Sequence, residues 1–161
     1  MIVKRLDGDD PRAVSLVSRL FDRAGAWGVM LWDMPREERR DALHCALKGA
    51  DVYVALPGGV VVACAWTRPV LPGTRVGMAH FCGVTRRETL EAGRLFLAEP
   101  ALKERYDALL GLIPAPYRHA RSLARELGFD ERLIPGLCRL ADTGRLTDGA
   151  LLTRDLRGED A

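Results

Sequence analysis

Lysine is scarce in this chain. Only Lys4, Lys48 and Lys103 are lysines among 24 basic residues, and 22 acidic residues leave a formal net charge of +2. So even a balance lacks the clustered basic excess that sequence-independent nucleic-acid binding needs, and nucleic acid is not an expected partner. The four cysteines, Cys45, Cys64, Cys82 and Cys138, include no CxxC spacing. The chain also opens without a charged-then-apolar leader, so reduced thiols in a cytoplasmic protein are the expectation. Long hydrophobic runs are missing too. The longest apolar stretch, residues 52–66, is interrupted by Pro57-Gly58-Gly59 and is too short to span a membrane.

What remains is the composition of a globular domain: 48% hydrophobic and 29% charged residues over 161 positions, enough for one core and short for two. A single domain, 1–161, is expected. Residues 2–6 read as a strand ended by Asp7-Gly8-Asp9-Asp10. Asp10 caps a helix with Pro11 in its first turn, where a missing N–H costs nothing, and Gly25 closes it. A second helix starts near Pro35, buries Ala42, Leu43, Ala46 and Leu47, and ends at Gly49. Strands at 51–56 and 60–68 flank the Pro-Gly-Gly turn, and a third follows at 75–82. Thr85-Arg86-Arg87-Glu88 has capping-box spacing and opens a helix to about Ala98. Pro100 starts a short connecting helix, and residues 109–113 form the next strand. A helix at 117–127 ends on Gly128, and strands at 132–140 and 150–156 bracket a turn at 141–149.

This order, with two helices inserted after the first strand, resembles the GNAT (Gcn5-related N-acetyltransferase) superfamily over nearly the whole chain. The most specific stretch is Gly111-Leu112-Ile113-Pro114, then Ala120, then Leu127-Gly128-Phe129 and a closing hairpin. The His80-Phe81 pair is also similar to a subset of phage-associated GNAT-like proteins. The resemblance implies an α/β (α+β) fold with a mixed central sheet of about seven strands flanked by about four helices. It further implies acyl transfer from acetyl-CoA to a small-molecule or peptide amine, with a non-catalytic binding or assembly protein as the alternative.

The family holds the coenzyme A diphosphate at a glycine-rich loop opening the helix after the fourth strand, where free N–H groups and the helix dipole bind it. The resemblance carries cofactor contacts onto Cys82, Gly83, Val84, Arg86, Arg87, Gly93, Arg94 and Tyr117. Aligning Gly93 with the last loop glycine places carboxylates, Glu88 and Glu91, at the anion site. Gly83 with Arg86 and Arg87 then forms a shifted substitute. Tyr117 stands where an Asn commonly contacts the pantetheine arm, and Ala124 where a Tyr commonly protonates the leaving thiolate. His80 is the expected general base, with an ordinary pKa near 6.5. The alternative for His80 is a core histidine bonded to backbone. His80, Cys82 and Cys64 offer too few ligands for zinc.

Two further features stay open. Arg118, Arg121 and Arg125 form a helical stripe facing solvent, a coenzyme A 3′-phosphate or a nucleic-acid backbone. Trp27, Met30, Leu31, Trp32 and Met34 make an apolar inter-helix segment. It fits an acceptor-site wall, core packing or a homodimer patch equally well.

Overall fold

The computed structural model describes residues 1–158. Its strands are β1 (Val3–Asp7), β2 (Asp51–Ala55), β3 (Ala63–Pro69), β4 (Val76–Gly83), β5 (Ala108–Pro114), β6 (Asp130–Arg139) and β7 (Leu146–Asp155). Its helices are α1 (Pro11–Ala24), α2 (Trp27–Met30), α3 (Arg39–Leu47), α4 (Arg86–Leu97), α5 (Pro100–Arg105) and α6 (Arg118–Glu126). The strands form one sheet in the order β1-β2-β3-β4-β5-β7-β6. Every neighbouring pair is antiparallel except β4 with β5, which is parallel.

Strand alternation distributes the core over the two faces. Val52, Val54, Cys64, Trp66 and Cys82 point to one face and meet Val17, Leu20 and Phe21 of α1 and Leu43 and Leu47 of α3. Tyr53, Ala65 and Ala79 point to the other and meet Leu90, Phe96 and Leu97 of α4, Leu102 of α5 and Ala124 of α6. Each large side chain sealed this way contributes about 1.5–3 kcal/mol relative to exposure. The central strands β2 and β3 are covered on both sides, which explains their nearly unbroken apolar sequence.

Local signals terminate the helices as expected. Asp10 accepts from the Arg12 N–H at 2.9 Å, and Gly25 takes the left-handed conformation (φ 60°) that ends α1. Two strand boundaries differ from the sequence expectation by three or more residues. The β3 strand begins at Ala63, because Pro57–Gly59 winds into a 3-10 turn and pairing resumes only when the Val62 N–H reaches the Ala55 carbonyl at 3.0 Å. The final turn is also tighter than residues 141–149, since β7 already starts at Leu146. A bulge between Ile134 and Cys138, with Gly136 at φ 62°, lets the Gly136 N–H donate to the Asp148 carboxylate at 3.1 Å, which keeps Asp148 in the strand.

The turn after β1 locks onto the end of α3. The Gly8 N–H donates to the Ala50 carbonyl at 2.8 Å, and a Cβ on Gly8 would overlap the Leu47 carbonyl oxygen. Gly8→Ala should therefore lower unfolding stability by about 1–3 kcal/mol, read as a shift of the urea midpoint at unchanged slope. An unshifted midpoint would show that this packing is loose.

Candidate functional site

Parallel pairing between β4 and β5 covers only Val76 with Ala108, Gly77 with Leu109, and Met78 with Leu110. Beyond that point β4 stays with β3 as far as Gly83, while β5 stays with β7 as far as Pro114. The facing edges therefore part, and a cleft of about 780 Å³ opens between them. It cuts through the sheet. Trp66, Met78 and His80 line it from the α3 face, and Ala79, Phe81, Leu127 and Phe129 line it from the α6 face. This volume lies within the range of small-molecule sites.

The walls are apolar. Met30, Leu31, Trp32 and Met34 form one, with Ala42 and Ala46 of α3 behind them, and Tyr117, Ala120, Leu123 and Ala124 of α6 form another. The tryptophan segment therefore divides by role. Trp27 packs edge-on against Phe21 at 5.1 Å and donates its indole N–H to Asp22 at 2.8 Å, whereas Trp32 faces the cleft. Arg39 fixes this wall. Its buried guanidinium donates from Nε to the Leu31 and Met34 carbonyls at 3.3 and 3.1 Å, and from Nη2 to Asp142 at 2.6 Å. The Ala141 N–H adds a bond to the Trp32 carbonyl at 2.9 Å, so the β6–β7 turn is fastened to the α2–α3 connection beside the cleft.

His80 sits directly across from Trp66 in the β3–β4 register, and the two rings stack at 4.6 Å with planes 7° apart. Nδ1 is sealed from solvent without a hydrogen-bond partner among the described residues, while the ring lines the cleft. Burial, with a smaller push from Arg68, holds its pKa down at about 4, well below the expected 6.5. The ring is neutral at pH 7. Neither Trp66 as its support nor Arg39 as a clamp was singled out from the sequence, since both depend on register and on contacts distant along the chain.

The remaining expected positions separate into two groups. Tyr117 reaches the cleft from the start of α6, and its phenol pKa is raised by burial and by Asp142. Cys82 is buried opposite Cys64, with its thiol pushed up to about 12 by burial. Gly83 packs so closely on α4 that a Cβ would overlap the Thr89 hydroxyl, and the Val84 N–H is used by the Val62 carbonyl at 2.9 Å. Arg86 is occupied by Glu126 and by Ser122 at 3.2 Å, while Arg87 is exposed.

Gly93 lies away from the start of α4. The helix starts at Arg86, so Gly93 and Arg94 lie about 10 Å along its axis. Gly93 serves close packing there, since a Cβ would come within 2.8 Å of Leu127 Cδ1. Glu91 points to the chain's amino terminus at 3.4 Å. The true helix start carries a closed capping box: Thr85 Oγ1 accepts from the Glu88 N–H at 3.2 Å, and Glu88 Oε2 accepts from the Thr85 N–H at 3.1 Å. Two donors that a diphosphate would use are thus already satisfied. The arginine stripe is also partly committed, because Arg121 makes two bonds to Glu131, at 2.8 and 2.6 Å.

No family model matches the sequence, and a comparison with curated proteins finds no match. The solved structures do. An N-acetyltransferase from Staphylococcus aureus Mu50 superposes with a TM-score of 0.73 at 16% identity, over 96% of this chain and 97% of its own. A ribosomal-protein-alanine N-acetyltransferase from Brucella melitensis gives 0.65 at 20% identity, over 96% and 99%. A GNAT superfamily phosphinothricin acetyltransferase from Sinorhizobium meliloti, solved with acetyl-CoA, gives 0.65 at 19% identity, over 96% and 89%. The chain has the GNAT acetyltransferase fold.

Two expectations follow from the geometry. His80 has its pKa lowered by folding, so the unfolded chain takes up this proton first as the medium is acidified. Its contribution to stability is intact above pH 6.5 and is lost between there and about pH 4. In that window His80→Gln should lose stability less steeply than the parent in urea titrations at stepped pH; equal slopes would show that the ring is not desolvated. Arg39→Ala should cost about 2 kcal/mol and speed hydrogen exchange at residues 31–34 and 141–144 together. Exchange that rises at only one of the two segments would mean that they are not fastened to each other.

Proposed function

We propose that the chain is an N-acyltransferase that takes the acyl-pantetheine arm of acetyl-CoA into the cleft between β4 and β5 and passes the acyl group to an amine. The observation that carries this reading is the parting of the two strands after Met78 and Leu110, opening into an apolar cleft. An extended arm rich in amide groups can bond to unpaired strand edges as an added strand would. Gly111, Ala120 and Ala124 keep the passage wide by their small size. The acetyl-CoA complex of the Sinorhizobium enzyme, which has the same fold, supports this ligand.

The thioester supplies an activated carbon: the amine nitrogen bonds to it, the carbon–sulfur bond breaks, and the proton lost by the amine ends on the thiol. This chain's residues contribute position and exclusion of water. Apolar walls from α2, α3 and α6 enclose the site, and His80 is the polar side chain stacked beside the parting strands. Asp33, Glu38 and Asp41 line the same cleft on the α2–α3 side and suit an acceptor that arrives as an ammonium on an apolar body and gives its extra proton to solvent before the neutral amine attacks. Such an acceptor is a small-molecule or peptide amine.

The residues fit the arm better than the diphosphate. The closed capping box at Thr85 and Glu88 favours a second reading, in which a GNAT-fold binding or assembly protein no longer takes coenzyme A. Calorimetric titration with acetyl-CoA separates the two. The transferase reading expects saturable binding to the parent protein. It also expects tighter binding to Glu88→Ala, which removes a carboxylate and frees the Thr85 N–H at a stability cost of about 1 kcal/mol. Absence of binding to either form at millimolar acetyl-CoA would overturn the transferase reading and leave the second.

A further inference from the structure

We propose that His80 serves the cleft as a neutral hydrogen-bond donor, through Nε2–H, to the carbonyl oxygen of the acyl group, and not as the base that removes the amine's proton. The ligand in this proposal rests on the transferase reading; the tautomer it requires is a property of the free protein.

Nδ1 is buried without a partner, so a proton there would be an N–H with neither water nor an acceptor. A bare lone pair in the same place is the less costly state. The proton therefore belongs on Nε2, the ring nitrogen that is not sealed, on a ring that lines the cleft. Trp66, itself fully buried, holds the imidazole plane by stacking at 4.6 Å. With the proton on Nε2, the only lone pair lies on the sealed nitrogen, out of reach of an amine in the cleft.

The surrounding charges agree with a neutral ring. Arg68, on β3, is the charged group that acts on it, and it opposes protonation. The carboxylates that line the cleft, Asp33, Glu38 and Asp41, belong to the α2–α3 side and are not among the groups that shift it. Tyr117 and Cys82 both have raised pKa values and stay neutral.

As a donor, His80 transfers no proton. Negative charge that grows on the carbonyl oxygen as the nitrogen–carbon bond forms meets a fixed N–H in an apolar setting, where such a contact is strongest. The carbon–sulfur bond then breaks, and the proton that the amine loses passes to the departing thiolate.

Long-range ¹⁵N–¹H correlation spectra of the ligand-free protein test the tautomer, with His80→Gln distinguishing His80 from His44 and His119. The expected result is a proton on Nε2 and no titration of the ring from about pH 5 to 8. A proton on Nδ1, or titration near pH 6.5, would overturn the donor role even in an active enzyme. Steady-state acetyl transfer tests the contact. Loss of one such donor in His80→Ala should lower kcat about a hundredfold with little change in KM. His80→Gln should recover most of it, because its amide keeps an N–H, and kcat/KM should show no limb near pH 6.5 from this residue. A base would be lost equally in both variants. If acetyl-CoA neither binds nor turns over, the carbonyl contact falls together with the transferase reading, whatever the tautomer.

Discussion

The two halves of the sheet part company at one place, and the rest of the molecule is arranged around it. After Met78 and Leu110 each strand keeps its antiparallel neighbour and gives up its parallel one. Antiparallel ladders on the outer sides hold both strands at full length, so the gap costs no loss of strand structure. It does leave backbone groups on the two facing edges without strand partners, and it joins the two faces of the sheet through a single opening. Residues of opposite parity, such as His80 and Phe81, can then line the same cleft. In an unbroken sheet they would lie on opposite sides of a wall.

The cleft's apolar lining sets its electrostatics. Burial lowers the pKa of His80 and raises those of Cys82 and Tyr117, in each case favouring the neutral form. Apart from Asp33, Glu38, Asp41 and Arg68 at the cleft, several charges are held by definite partners. Asp51 gathers Arg5 and Arg105 at the β1–β2 edge, Arg121 holds Glu131 beside α6, and Arg39 holds Asp142 between the α2–α3 connection and the last turn. Chemistry in such a site depends on position, shape and fixed dipoles more than on ionised side chains. The self-capped start of α4 follows the same logic, because its donors are satisfied within the chain.

Much of the architecture could be read from local signals. Asp10 with Pro11, Gly25, the Thr85–Glu88 box and Gly128 mark helix ends through backbone groups within a few residues of each other, and each behaves as its local chemistry requires. Local signals were insufficient where distant contacts decided. The start of β3 shifted because the Pro57–Gly59 turn uses three more residues before pairing resumes. Gly93 matched a phosphate-loop position in spacing, yet in space it makes room for Leu127. The arginine stripe on α6 looked uniform along the sequence, but Glu131 selects Arg121 from it.

The sequence by itself determined the order of the strands and longer helices, though not the short α2, together with the apolar runs of β2 and β3 and the closed N-terminus of α4. These properties rest on neighbours along the chain and on periodicity. Tertiary structure alone decided where β4 leaves β5, that Trp66 lies under His80, which imidazole nitrogen is sealed, and that Arg39 joins residues 31–34 to Asp142. Each of these depends on register between strands or on packing between segments far apart in the chain, and no local pattern of residue types encodes such distances.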